Sequence, residues 1–396
     1  MPRKNPSLRP YFVSFLLGDA ATQIQAIAVG WVVYTINHRA LDLGLVGLVL
    51  FLPSLLLVLV TGSVADRFDR KTIVVVASLA KCAGAVVLAY LAASHTLRLE
   101  LALTVVFLIG VARAFGTPAE RTVLINIVDD DEFTSIRALY SSVREFLVIG
   151  GPALGGILVG FSPVAAFLTT AMMFALSIAA FAFVHMPPVP RPTASPTWRS
   201  ALEGFTFIFG QPVLLGAIGL DLFAVLVGGA VAVLPIISAE VLHAGAFGYG
   251  ILRSSVAVGA TGMGFYLHRR PPTRRIGTML LASVAGFGVA TIVFAYSRSI
   301  VLSACALAVG GACDMVSVVI RNGLVQLRTP DAMRGRVGAI EGVFVGASNE
   351  LGAFESGALA QAIGAVGAVA AGGIATLAIV AIWYMKFPAL RRTDRL

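Results

Sequence analysis

Twelve runs of about twenty mostly apolar residues, separated by short polar or charged connections, constrain this chain more than any single motif does. They occupy 11–36, 43–61, 72–93, 99–120, 142–160 and 163–185, and then 210–237, 246–267, 277–296, 299–321, 336–360 and 363–386. Each is continuous rather than alternating, which favours helices over barrel strands, because a helix satisfies its own backbone hydrogen bonds inside lipid. With 58% hydrophobic residues the chain also exceeds the roughly 45–50% of soluble domains. The expected class is an all-α membrane protein with twelve transmembrane helices.

The cations give an orientation. Twelve spans place both termini on one side, and 23 of the 29 Lys and Arg residues fall on that side, against Arg39, Arg98, Arg253 and Arg298 on the other. Lys81 and Arg113 lie within spans. Positive charge gathers on the cytoplasmic face, so both termini are expected in the cytoplasm. The formal charge of +9 is accounted for by topology, without nucleic-acid binding. The basic start MPRKNPSLRP leads into a full span with no small-residue cleavage site, so the first helix is expected to persist. Cys82, Cys305 and Cys313 fall in apolar segments without metal-ligand spacing and read as packing residues. The five histidines sit at or near span ends, and no nucleophile triad or phosphate-cradling loop accompanies them; neither an enzyme nor an ATPase is expected, and no cofactor is.

The chain divides in the middle. MPPVPRPTASPTWRS, from Met186, is proline-rich and polar and reads as a cytoplasmic linker, so the expected organisation is an N-terminal six-helix half (1–185), a linker (186–203) and a C-terminal half (204–396). An offset of 201 residues lays GGPALGGIL (150–158) over LGAFESGAL (351–359), with Gly151, Gly156 and Leu158 each meeting an identical residue. Two pseudo-symmetric halves with a site between them are a common plan for secondary transporters.

Within this frame GSVADRFDRK (62–71) resembles the GxxxDRxGRR/K signature between the second and third helices of the major facilitator superfamily. Gly62, Asp66, Arg67, Arg70 and Lys71 match, and Asp69 stands where a second glycine is usual. WVVYTI, ARAFGTPAE, VQLRTPDAMRGRVGAI and FPALRRTDRL extend the similarity along nearly the whole chain, towards the branch of enterobactin exporters and macrolide efflux proteins. The resemblance implies the major facilitator fold, and a cytoplasmic latch in which Asp66 meets arginines or a helix N-terminus while Gly62 permits close approach. A basic loop obeying the topology rule explains Arg67, Arg70 and Lys71 equally well. GGPALGG, with Gly151, Pro152, Gly155 and Gly156, resembles the glycine and proline motif of antiporters in the superfamily, which favours export; close helix packing is the other reading of these glycines.

Ionisable groups inside spans are costly, about 2.5–3.5 kcal/mol on insertion scales, and point to function. Asp19, Arg113, Asp221 and Asp314 lie in the first, fourth, seventh and tenth spans, at depths of roughly 10–16 Å from the cytoplasmic boundary at about 1.5 Å per residue. Asp19 and Asp221 are 202 residues apart, Arg113 and Asp314 are 201 apart. Three acids and one cation suit proton coupling, with proton and a cationic or zwitterionic cargo competing for the same carboxylates; hydration or structural pairing is the plainer account. Arg113 resembles a fourth-helix arginine of exporters linked to proton transfer, although the AFG after it departs from the pattern. Glu350 is a further protonation candidate on the eleventh span. Gln23, four residues after Asp19, shares its face and is the candidate substrate contact. The expected function is export of siderophore-like or hydrophobic drug-like molecules by a proton-driven monomer in the bilayer, with uptake, facilitated diffusion or lipid flipping as alternatives.

Overall fold

The computed structural model describes residues 6–57, 60–61, 64, 68–128, 130–186 and 198–395, and among these it contains helices and no strand. The helices are α1 (Leu8–Asn37), α2 (Ala40–Leu56), α3 (Arg70–Ala93), α4 (Leu99–Ile127), α5 (Asp130–Phe161), α6 (Pro163–Ala182) and α7 (Trp198–Phe209). They continue with α8 (Pro212–Gly228), α9 (Gly245–Arg269), α10 (Ile276–Tyr296), α11 (Ile300–Arg328), α12 (Asp331–Ile363), α13 (Ala365–Lys386) and the short α14 (Pro388–Arg391). After α8 the chain winds through a 3-10 turn (Val231–Val233) and a π turn (Ile237–Val241) around Pro235. Proline opens α6 and α8, where its missing N–H costs no helical hydrogen bond. Gly364, between α12 and α13, has φ 81° and ψ 156°, a conformation open essentially to glycine alone.

Nine helices among the described residues are long and apolar enough to cross a membrane, counting α8 with its extension to Val241. The three other expected spans correspond to α2, which is apolar but shorter, and to α9 and α12. Glycine, serine and Arg253 dilute α9, and Glu341, Glu350 and Glu355 dilute α12. Several helices outrun the expected apolar limits: α4 continues to Ile127, α11 to Arg328, and α12 begins at Asp331.

The chain forms two compact units. The first comprises Met1–His38, Val49–Ser195 and Gly245–Gly250. In it α1 packs on α5 and α6, and α3 packs on α4 and α6, around a cluster that includes Leu8, Tyr11, Ile73, Val123, Ile127 and Phe181. Ser14 and Ser177 join α1 to α6, with hydroxyls 3.0 Å apart and Ser177 donating to the Ser14 carbonyl at 2.7 Å. The second unit comprises Arg39–Leu48, Pro196–Ala244 and Ile251–Leu396. In it α10 packs on α11 and α13, and α8 packs on α12 and α13, around Leu214, Leu220, Ile276, Leu280, Ile320 and Leu324. Its C-terminal tail closes α10: the Arg275 N–H donates to Asp394 Oδ1 at 3.0 Å and the Gly277 N–H to the Thr393 carbonyl at 3.0 Å. Those donors belong to the helix start, where no intrahelical acceptor exists.

The repeat seen in sequence has a physical counterpart in the glycines. A Cβ on Gly151 would lie 2.5 Å from Gln23 Cβ on α1, and one on Gly352 would lie 2.9 Å from two carbonyl oxygens of α8. One on Gly156 would meet Gly250 and the Ala246 carbonyl at the start of α9, and one on Gly357 would meet Gly44 and the Ala40 carbonyl at the start of α2. Equivalent glycines 201 residues apart therefore admit equivalent neighbours: the first helix of each six, and the first turns of the second helix of the other six. GGPALGG is thus a packing surface, with Gly155 set against Ile24 and Ile27 of α1, and α5 is helical through Pro152.

Because the atoms around Gly156 are backbone, they cannot yield. Gly156→Ala should lower apparent stability in detergent by an overpacking cost of about 1–3 kcal/mol. Gly150→Ala, with nothing within 4 Å of the new Cβ, should leave it unchanged or slightly raised. Thermal denaturation of the two purified variants, followed by fluorescence-detected gel filtration, checks the contrast.

Candidate functional site

Each unit holds one cluster of charged side chains around an aspartate that the sequence singles out. In the first, Asp19 on α1 has Oδ2 buried without a hydrogen-bond partner, and its carboxyl group takes a side-chain hydrogen bond from Gln23. Glu120 on α4, Arg144 on α5 and Lys81 on α3 act electrostatically on it. Lys81 Nζ donates to Glu120 Oε1 at 3.2 Å, so this cation inside a span is an ion-pair partner. Beside these groups Phe15 and Tyr140 are stacked with ring centroids 4.0 Å apart, and Tyr11 stacks against Tyr140 at 6.4 Å. Gln23 reaches this position because Gly151 leaves α5 room for it.

The second cluster is more deeply enclosed. Arg321 on α11 is 4% exposed and Asp221 on α8 is 5% exposed, and the two form an ion pair between Nη1 and Oδ2. Arg321 Nε donates to Glu341 Oε1 of α12 at 3.0 Å, and Ser317 Oγ donates to Asp221 Oδ1 at 3.2 Å. Asp314, Ser317 and Arg321 follow one another at three and four residues on α11, which puts them on one face. Asp314 interacts electrostatically with Asp221 and Arg321 but makes no hydrogen bond or ion pair among the described residues. Asp314 lines a small, mostly apolar pocket with Asp221, Ser317 and Cys313, walled by Ala224, Val225, Val284 and Phe287. The cavity volume, about 10 Å³, is close to the room one water needs. Two carboxylates here pair with one guanidinium, and Asp314 interacts with it electrostatically. No group of three or more His, Cys, Asp or Glu among the described residues is placed to hold a metal ion.

The two clusters correspond across the repeat. Asp19 and Asp221 occupy equivalent positions, as do Glu120 and Arg321, and Tyr140 and Glu341, each pair 201 or 202 residues apart. The equivalent sites carry different chemistry: mixed charge beside aromatic rings in the first unit, an excess of acid around an arginine in the second.

The structure joins Asp19 with Gln23, and Asp221 with Asp314. Arg113 is exposed on α4 and makes no hydrogen bond or ion pair among the described residues; the cation beside Asp221 and Asp314 is Arg321. Arg321 escaped the sequence reading because the tenth apolar run ends there, whereas α11 continues seven residues, about 10 Å, further. The three-and-four spacing from Asp314 was the available signal. Glu350, half-buried on α12, lies against Gly47 of α2. Of the proposed latch, Gly62, Asp66 and Arg67 fall outside the described residues. Arg70 begins α3, and Lys71 Nζ donates to the carbonyls of Ala182 and Val184 at 2.9 and 2.7 Å, placing a cation at the C-terminal end of α6. Asp69 caps α3, its Oδ2 accepting from the Thr72 N–H at 3.1 Å, with φ −63° and ψ 126°; nothing at this position requires the glycine seen in the signature.

Comparison with known proteins agrees with this architecture. The family model described as transmembrane secretion effector matches residues 1–395. The chain belongs to this family of the major facilitator superfamily. It is 24% identical over 400 residues to the enterobactin exporter EntS of Shigella boydii serotype 18, a match covering 98% of this chain and 94% of that protein. The same identity and coverage hold for the enterobactin exporter EntS of Escherichia coli O139:H28. Among solved structures, a point mutant of the nucleoside transporter NupG gives a TM-score of 0.73 at 14% identity, covering 96% of this chain and 98% of that one. A bacterial homologue of the iron transporter ferroportin, in its inward-facing state, gives 0.71 at 14% identity, with coverages of 96% and 99%. At such identities these likenesses establish the major facilitator fold. The protein is accordingly a multi-pass membrane transporter of small molecules, and members of this superfamily are not enzymes.

In a transporter of this fold the second cluster is a buried ion-pair network, and removing its single cation strands Asp221 and Glu341. Arg321→Met should destabilise the purified protein by about 3–5 kcal/mol, and adding Asp221→Asn and Glu341→Gln should restore most of that loss. Thermal denaturation of the single and triple variants reads both steps.

Proposed function

We propose that the protein is a proton-coupled exporter of siderophore-like or hydrophobic drug-like molecules, an antiporter that works by alternating access. The observation that carries this reading is a full-length similarity to proteins named enterobactin exporters, in a chain that keeps several carboxylates inside its spans. Two six-helix halves, 1–185 and 204–396, move about the linker 186–203 in a monomer. Both termini face the cytoplasm from a bacterial inner membrane, consistent with the 23 to 4 cation bias. Asp19, Asp221 and Asp314 serve proton coupling, with Arg113 and Glu350 as further members. Arg70 and Lys71 belong with Gly62, Asp66 and Arg67 to the cytoplasmic latch.

The first cluster supports cargo contact. Gln23 and Asp19 offer hydrogen bonds, Lys81, Arg144 and Glu120 offer charge of both signs, and Phe15 with Tyr140 offers an aromatic face. A catecholate or an aromatic drug is recognised by that combination, since stacked aromatic contacts contribute about 0.5–1.5 kcal/mol beyond area burial. Drug resistance follows as a secondary consequence where such drugs are carried.

The test is transport in proteoliposomes under an imposed pH gradient, with enterobactin, a macrolide and a lipophilic cation as candidate cargo. Proton movement in exchange for one of them is expected, with gradient-driven accumulation reduced at least tenfold in Asp314→Asn. Accumulation with the opposite gradient polarity would mean uptake, and headgroup-dependent lipid movement would mean a flippase. Cargo moved at the same rate with and without the gradient would remove proton coupling.

A further inference from the structure

We infer that the loop between α9 and α10 and the C-terminal tail, both in the second unit, together form a binding surface for the headgroups of anionic phospholipids. The inference depends on the chain being a membrane protein and on nothing about cargo or coupling, so it goes beyond the exporter reading. Three observations carry it.

The first is unpaired charge. HRRPPTRR (268–275) brings four arginines, and Lys386, Arg391, Arg392 and Arg395 bring four more cations, while Asp394 is the one acid within 265–279 and 384–395. All of these cations are exposed except the half-buried Arg391, and none forms an ion pair among the described residues. Other exposed arginines of the same unit are paired, Arg334 with Asp331 and Arg336 with Glu203. Topology accounts for the number of cations at this end of the helices, but not for their gathering without partners.

The second is that the tail is fastened to the loop. Leu390 is fully buried and is set, with Phe387, against Gly216 of α8. The Arg275 N–H donates to Asp394 Oδ1 and the Gly277 N–H to the Thr393 carbonyl, so the acid of the patch is engaged with the start of α10. Arg270 stands five residues before Arg275 and lies within about 18 Å of it. Arg275 has φ 54°, in the left-handed region that favours glycine or asparagine, and yet carries a long cationic side chain. Cations held on a fixed backbone have less freedom to lose when a ligand arrives.

The third identifies the occupant. The Arg269 guanidinium carbon lies 4.2 Å from the centre of the Phe265 ring, and that of Arg391 lies 4.5 Å from the centre of the Tyr384 ring. Both rings are exposed, by 58% and 50%, on the last turns of α9 and α13. An exposed ring at the end of a transmembrane helix meets the upper part of the acyl chains, and the guanidinium over it reaches the level of the phosphates. With its face on the ring, a guanidinium keeps its N–H edge for paired hydrogen bonds to phosphate oxygens. A soluble anion would use the cations alone, whereas a phospholipid uses cations and rings together, as basic patches beside helix ends do.

Native mass spectrometry of the full chain released from detergent tests the surface, with phosphatidylglycerol and phosphatidylcholine of equal chain length offered together. The wild type should retain phosphatidylglycerol about tenfold more than phosphatidylcholine, and the triple variant Arg270→Gln, Arg274→Gln, Arg392→Gln should retain the two alike. The control triple Arg9→Gln, Arg98→Gln, Arg137→Gln removes the same charge from exposed positions of the first unit and should keep the preference. Phe265→Leu with Tyr384→Leu, which leaves every cation in place, should lower phosphatidylglycerol retention severalfold and tests the surface independently of the arginine variants. Equal retention of both lipids by the wild type would overturn the proposal, and equal loss of preference in the two triples would reduce it to diffuse charge. Release of phosphatidylglycerol by excess glycerol phosphate, which carries the headgroup chemistry without acyl chains, would overturn the lipid in favour of a soluble anion.

Discussion

Hydrocarbon can neither donate hydrogen bonds nor solvate charge, and this constraint runs through every level of the molecule. It makes each span a helix, because only a helix closes its own backbone ladder. It also favours charge that is paired: Arg321 is held by buried Asp221 and by Glu341, and Lys81 by the partly exposed Glu120. Helix ends follow the same logic. Lys71 serves the carbonyls at the end of α6, Asp69 serves the start of α3, and the tail residues Thr393 and Asp394 serve the start of α10.

With little hydrophobic drive between helices in lipid, packing rests on close approach. The glycines 151, 156, 352 and 357 provide it as two repeat-related pairs: Gly156, Gly352 and Gly357 admit backbone of the neighbouring helix, and Gly151 admits the Gln23 side chain. A motif suggestive of antiport is, in structural terms, the seam that seats α5 on α1 and on the first turns of α9. The same seam positions Gln23, so a packing device and a candidate contact residue are physically linked.

The internal repeat kept positions and changed chemistry. Asp19 and Asp221 are equivalent, yet Glu120 faces the first where Arg321 faces the second, and Tyr140 stands where Glu341 stands. One unit thereby combines aromatic rings with charges of both signs; the other becomes an acid-rich cage around one arginine. A duplicated scaffold can change its buried chemistry by such substitutions alone, since the helices that present them are already in place.

The class of this protein was legible in its sequence, because apolar length and cation placement act residue by residue and need no partner. The approximate spans, the repeat offset, and the presence of Asp19, Asp221 and Asp314 on long apolar helices came from the same local signals. Which charges meet did not. Arg321 looked like a loop cation at the end of an apolar run, and only the continuation of α11 with the packing of α8 and α12 around it turned it into a buried counterion. Arg113 looked in sequence like a cation enclosed within a span and is exposed on α4. Helical rotation and the neighbouring helix decide such pairings, and neither is written in the order of residues along one chain segment.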